Sequence, residues 1–173
     1  MKKNWIKYIL TFVSVMIIRL LPFRAPNVEP IMASVMPLGK SFGGIASFIF
    51  GSLSIVIYDS VTSGIGIWTF VTAIAYGLLG LGASYYFRNR SGWKNYAIYA
   101  FIATIIYDAV TGLTIGPLFF HQSLTVSLIG QIPFTVLHLI SNVSFAIVLS
   151  PVIEMWLVKE TKSKVVAKEL VLN

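Results

Sequence analysis

Trp68 to Phe87 reads WTFVTAIAYGLLGLGASYYF, without one charged side chain, and matches the about 20 residues an α-helix needs to cross the hydrocarbon of a bilayer. Similar runs occupy Trp5–Leu21, Phe42–Tyr58, Trp93–Leu113 and Ile132–Val158, and a shorter one, Ile31–Gly39, contains Pro37. Hydrophobic residues make up 57% of the 173-residue chain, charged residues 11%, and the mean hydropathy is +0.84. A water-soluble domain of this length would expose enough of that apolar surface to aggregate. The expected fold is an all-α integral membrane protein with six transmembrane helices. Residues 1–160 form one six-helix membrane domain, and 161–173 form a basic cytoplasmic tail.

Charge placement sets the expected orientation. Lys2, Lys3 and Lys7 precede the first helix, Lys40 separates the second from the third, Arg88, Arg90 and Lys94 separate the fourth from the fifth, and Lys159, Lys162, Lys164 and Lys168 follow the sixth. Only Arg19 and Arg24 stand apart, so the positive-inside rule makes the basic face cytoplasmic and leaves both termini there. A re-entrant second segment would move Arg88, Arg90 and Lys94 outside, so Ile31–Gly39 is read as a crossing. The start, MKKNWIKYIL, is basic then apolar like a signal peptide, but no small-x-small cleavage site comes after it and Arg19 interrupts the end of the run, so it is read as a retained helix. Trp5, Tyr8, Tyr85, Tyr86, Trp93, Tyr96 and Trp156 fall at inner helix ends and Trp68 at an outer one, where interfacial aromatics are expected. The net charge of +7 thus reports orientation and implies no nucleic-acid partner; the partner is the lipid bilayer. With no cysteine and two histidines, no disulfide, metal site or cofactor is expected.

Two peptides, IYDSVTSGIG from Ile57 and IYDAVTGLTIG from Ile106, use two of the six carboxylates in the chain. Both end helices that run outward, so Asp59 and Asp108 fall in the outer half of the membrane, followed by connections rich in glycine and hydroxyls. Such connections suit closure over a small polar solute. Two related helix-plus-loop units or convergence on a polar outer cap would both explain the repeat. Ionisable groups at membrane depth are rare because each costs about 2.5–3.5 kcal/mol unless paired or wet. Arg19, Asp59, Asp108, His138 and Glu154 therefore need partners. Glu154 is read as an interfacial charge within a turn of Lys159, and the aspartates as helix caps, as partners of Arg19 or Arg24, or as solute ligands. His138 and Asn142, one turn apart, share a face of the sixth segment with Ser141 adjacent and Gln131 and Thr135 toward the outer side. Interhelical hydrogen bonding is the plain explanation for these polar groups, worth about 0.6–2 kcal/mol per contact; binding of a solute is the other.

Enzymatic readings fail on pattern. LGKS at Leu38–Ser41 lacks the glycine a phosphate-binding loop needs at Ser34, no Gly-x-Gly precedes Asp108 as in intramembrane aspartyl proteases, and no Gly-x-Ser-x-Gly occurs. The chain is not expected to be an enzyme.

Three stretches, APNVEPIMASVMPLG, GGIASFIFGSLSIVIYDSVTSGIGIWTFVTAIAYGLLGLGASYYF and GQIPFTVLHLISNVSFAIVLSP, resemble in order and spacing the substrate-binding S components of energy-coupling factor (ECF) vitamin transporters. The likeness covers Arg19 to Pro151. It implies a multi-pass protein of a prokaryotic plasma membrane that binds a vitamin-like micronutrient from the outer face. Delivery inward would need a transmembrane coupling subunit and two ATPase subunits. The implied substrate-binding residues are Asn27, Glu29, Asp59, Trp68, Asp108, His138 and Asn142, lining a cavity open to the outer face. Trp68, Tyr58, Tyr107, Phe119 and Phe120 could stack a flat ring, and the carboxylates could meet an amine, so a ring-containing, neutral or cationic nutrient is expected. The family's Ala-x-x-x-Ala docking pattern is missing from YILTFVSVMIIRL, and Gly43, Ser47 and Gly51 offer a small-residue ridge in its place. The alternative is a non-transporting scaffold similar to the small rod-shape-determining membrane proteins. A third reading, an autonomous carrier, would need a coupling-ion site at mid-depth and broken helices beyond Pro37.

Overall fold

The computed structural model describes residues 4–23 and 27–172, with side chains described as far as Leu157. Lys2, Lys3 and Arg24 lie outside the described residues, as do the side chains of Lys159, Lys162, Lys164 and Lys168. Among the described residues there are six α-helices and no strand: α1 (Trp5–Arg19), α2 (Ile31–Phe42), α3 (Gly44–Val61), α4 (Ile67–Tyr86), α5 (Trp93–Thr114) and α6 (Leu124–Leu172). Four stretches, Gly44–Val61, Ile67–Tyr86, Trp93–Phe119 and Leu124–Leu157, are long and apolar enough to cross a membrane. At 15 and 12 residues, α1 and α2 are shorter.

The faces of α4 show what solvent the fold suits. Its outward stripe is Phe70, Ile74, Leu78 and Leu81, each more than 40% exposed. Its inward stripe is Thr69, Ala73, Tyr76, Gly77, Gly80 and Ala83. A helix that turns its large apolar residues outward and its small and polar ones inward is built for lipid, where close backbone approach and interhelical hydrogen bonds hold helices together. Gly51 and Gly80 make that approach possible between α3 and α4. A Cβ on Gly51 would lie 2.7 Å from the Tyr76 carbonyl oxygen, and one on Gly80 2.6 Å from that of Ser47. Ser47 and Gly51 are therefore spent on packing within the bundle, the commoner use of such a ridge.

The short helix α2 is the centre of the bundle. Ile31, Met32, Ala33, Ser34, Val35, Met36 and Leu38 are all fully buried, and the helix packs on α3, α4 and α6 with lesser contacts to α1 and α5. Pro37 deprives the Ala33 carbonyl of its helical N–H partner. Ser150 on α6 supplies the missing donor, its hydroxyl lying 2.8 Å from the Ala33 oxygen, so the broken rung is repaired by a neighbouring helix as a buried carbonyl requires.

Helices α5 and α6 run antiparallel in a regular seam. Asp108 faces His138, and four residues earlier on α5 and four later on α6 Thr104 faces Asn142; Ala100 and Ala146, both fully buried, continue the register. Two details depart from the sequence reading. Thr114–Phe119, beyond the expected end of the fifth segment at Leu113, is helical, ending in a π turn over Ile115–Phe119. Tyr8 and Tyr96, expected at interfaces, turn inward: Tyr8 donates to the Ala46 carbonyl at 2.6 Å, and Tyr96 is fully buried and stacked on Phe87.

Candidate functional site

The site is set by where α2 begins. Because α2 starts inside the bundle, the connection from α1 must bring its own polar residues in, turning through Asn27 in the left-handed region at φ 61°. Glu29 is thereby buried at 7% exposure. Arg19, in the last turn of α1, meets it with Nη2 2.9 Å from Oε2 and donates from Nη1 to the Ser54 carbonyl at 2.7 Å. The guanidinium also lies over the Tyr58 ring, 4.1 Å from its centroid. Burial pushes the Glu29 carboxyl up, but the Arg19 guanidinium, with the nearby His138 and the hydrogen bond from Tyr76, outweighs this and holds it at about 2. It stays ionised.

From Glu29 the network crosses the bundle. Tyr76 on α4 donates its hydroxyl hydrogen to Glu29 Oε1, so the Tyr76 oxygen is left to accept from His138 Nε2 at 3.3 Å. On the far side of the imidazole, Nδ1 lies 2.8 Å from Asp108 Oδ1. A proton on each ring nitrogen satisfies both contacts and sets His138 between two carboxylates, Glu29 being 3.7 Å from Nε2. Tyr107 and Phe134 approach the imidazole edge-on, and Tyr107 packs on Tyr76 with centroids 4.4 Å apart. Five helices or their connections thus meet at one buried chain of ionic and hydrogen-bonding groups.

The chain is incomplete where α5 faces α6. Asp108 Oδ2, Asn142 Oδ1 and Ser141 Oγ are buried and have no hydrogen-bond partner in the structure. Asp108 is 1% exposed and Asn142 fully buried, where an unsatisfied polar atom costs about 1–3 kcal/mol. One turn beyond the Asp108–His138 pair, the Gln131 side chain lies directly on Gly112, in the space a Cβ would fill.

Of the residues singled out from the sequence, Glu29, Asp108 and His138 form one network, and Asn142 lies a turn deeper, donating from Nδ2 to Thr104 Oγ1 at 2.9 Å. Asp59 does not join them. Thr69 donates to Asp59 Oδ2 at 2.6 Å and accepts from the Gly66 N–H at 3.2 Å, so Asp59 ties the end of α3 to the first turn of α4. Trp68 is half-buried with its ring over Gly66, and Asn27 is half-buried in the turn before Glu29. Arg19, one of the alternative partners the sequence offered for the aspartates, forms an ion pair with Glu29. The sequence reading treated Glu154 as an interfacial charge near Lys159, whose side chain lies outside the described residues; Glu154 pairs with Lys40 at 2.5 Å and accepts from Tyr96 at 3.0 Å. Tyr76 and Thr104 went unmarked. In an apolar helix a tyrosine reads as packing, and its only signal is that every other buried residue of α4 is Thr, Ala or Gly.

Fold and site together are those of a helical protein suited to a membrane, with its ionisable groups turned inward. No family model matches the chain, and no match was found among curated proteins or solved structures.

Proposed function

We propose that this chain is a solute-capture subunit of a multi-pass membrane transporter. Its six helices cross a prokaryotic plasma membrane, α1 and α2 as short crossings, with both termini cytoplasmic. It binds a vitamin-like micronutrient from the outer face, as the resemblance to ECF S components implies, and delivers it with a coupling subunit and two ATPase subunits. The observation that carries this reading is the unpartnered Asp108 Oδ2, buried beside His138 at the bundle end opposite Lys40, Arg90 and Lys94. A purely structural ion pair would be expected to satisfy both carboxylate oxygens. The scaffold reading is favoured by one observation of its own: Arg19, Glu29, Tyr76 and His138 already pair with one another.

Native mass spectrometry of the detergent-purified protein, expressed in rich medium, separates the two. Stoichiometric release of a small metabolite on denaturation is the expected outcome. A bare chain from several media, retaining only protein partners, would support the scaffold.

A further inference from the structure

The three unpartnered atoms lie on two facing helices within a turn of one another in register: Asp108 Oδ2 on α5, and Ser141 Oγ and Asn142 Oδ1 on α6. Their partnered halves fix what remains. Asp108 gives Oδ1 to His138, and Asn142 uses Nδ2 on Thr104. Asp108 and Asn142 each leave over an acceptor, a carboxylate oxygen and an amide oxygen, and Ser141 leaves a hydroxyl that can donate or accept. The aromatic side chains beside this seam are Tyr107, edge-on to His138 and packed on Tyr76, and Phe134, which is 40% exposed.

We infer that the captured molecule is a nitrogenous ring compound whose N–H groups donate to Asp108 Oδ2 and Asn142 Oδ1. This rests on the capture reading. Donors supplied by the ligand would complete a buried network that the protein alone leaves open, and the ring would lie against Tyr107 and Phe134. An anion, or a molecule carrying only acceptors on its polar edge, could take at most the Ser141 hydroxyl as a donor and would leave Asp108 Oδ2 and Asn142 Oδ1 unpaired. Displacement of the Gln131 side chain from Gly112 gives the path in, one turn beyond Asp108.

The test offers the purified full-length protein a metabolite extract, identifies what it retains, and measures its melting temperature with benzamide, benzamidine, benzyltrimethylammonium, benzoate or sodium chloride. The expected result is a retained N–H-bearing ring compound, with protection by benzamide and benzamidine and none by the other three. Asn142→Asp, which keeps the acceptor, retains the metabolite. Asn142→Leu lowers its affinity about tenfold or more, as loss of one such bond predicts. A retained anion, or equal protection by benzyltrimethylammonium, overturns the N–H assignment and leaves capture standing. Protection by sodium alone assigns the oxygens to an alkali cation and overturns it as well. Retention of no small molecule overturns both readings together.

Discussion

Two ionic clusters hold the two ends of α2, and they are built differently. At one end Glu29 and Arg19 lie in the protein interior, their side chains 10% and 6% exposed, and are continued by Tyr76 and His138 to Asp108. At the other, Lys40 and Glu154 pair with side chains 23% and 17% exposed, beside Ser91 and Tyr96. The first is sealed and leaves an acceptor open. The second is half-wet and closed, with Lys40 also donating to the Arg90 carbonyl at 2.9 Å. The contrast shows that a charge pair can serve as an anchor at either end of a helix, but only burial makes its loss severe and its unfilled valence informative.

Breaking the sealed end should have the largest effect. Arg19→Met or Glu29→Gln strands one charge in the interior and should destabilise by about 3–5 kcal/mol, read as a fall in melting temperature in detergent. The double variant Arg19→Met/Glu29→Gln should recover much of that loss, and failure to recover would mean the pair is not the coupled unit described. Between the ends, Ser150→Ala leaves the Ala33 carbonyl without its donor and should destabilise by about 1–3 kcal/mol. Pro37→Ala in that background restores the helical N–H and should return most of the stability; no rescue would separate Ser150 from the proline. At the half-wet end, Lys40→Met should lower stability by about 1 kcal/mol or less, an effect that shrinks with added salt, whereas the Arg19 variant should be insensitive to salt. Smallest of all, Gly112→Ala should leave the melting temperature nearly unchanged, because the atom it displaces is the flexible end of Gln131. It should nevertheless change the rate of exchange of any captured metabolite.

How far this was readable in the sequence differs between the clusters. Asp108 and His138 were legible because each is ionisable in an otherwise apolar helix, where solitude demands a partner. Arg19 with Glu29 was half legible: Arg19 stood out, Glu29 entered only through the resemblance, and their pairing depends on the turn at Asn27, which no periodicity encodes. The Asp59 and Asp108 repeat misled, since near-identical peptides took different partners. Helix α3 ends two residues after Asp59, while α5 runs six past Asp108 and continues into a π turn. The length of helix beyond each aspartate, rather than the peptide around it, decides its depth. Lys40 with Glu154, 114 residues apart, had no local signal. The helix positions themselves came through because the apolar runs are long, and only α6, which begins at Leu124 and passes through Pro133, was placed too late in the chain.

The central position of α2 has a consequence for how the chain is made. A 12-residue helix interrupted by proline is too short to be inserted as a span on its own merits. The helices that bury it, α3, α4 and α6, are all synthesised after it, and Ser150 and Glu154, which hold its middle and its end, emerge last of all. The first third of the protein therefore waits on the last. A nascent chain stopped short of Ser150 has α3 and α4 to cover α2 but carries an unrepaired carbonyl at Ala33 and a Lys40 without its carboxylate partner, so the last helix completes what the first third of the chain leaves open.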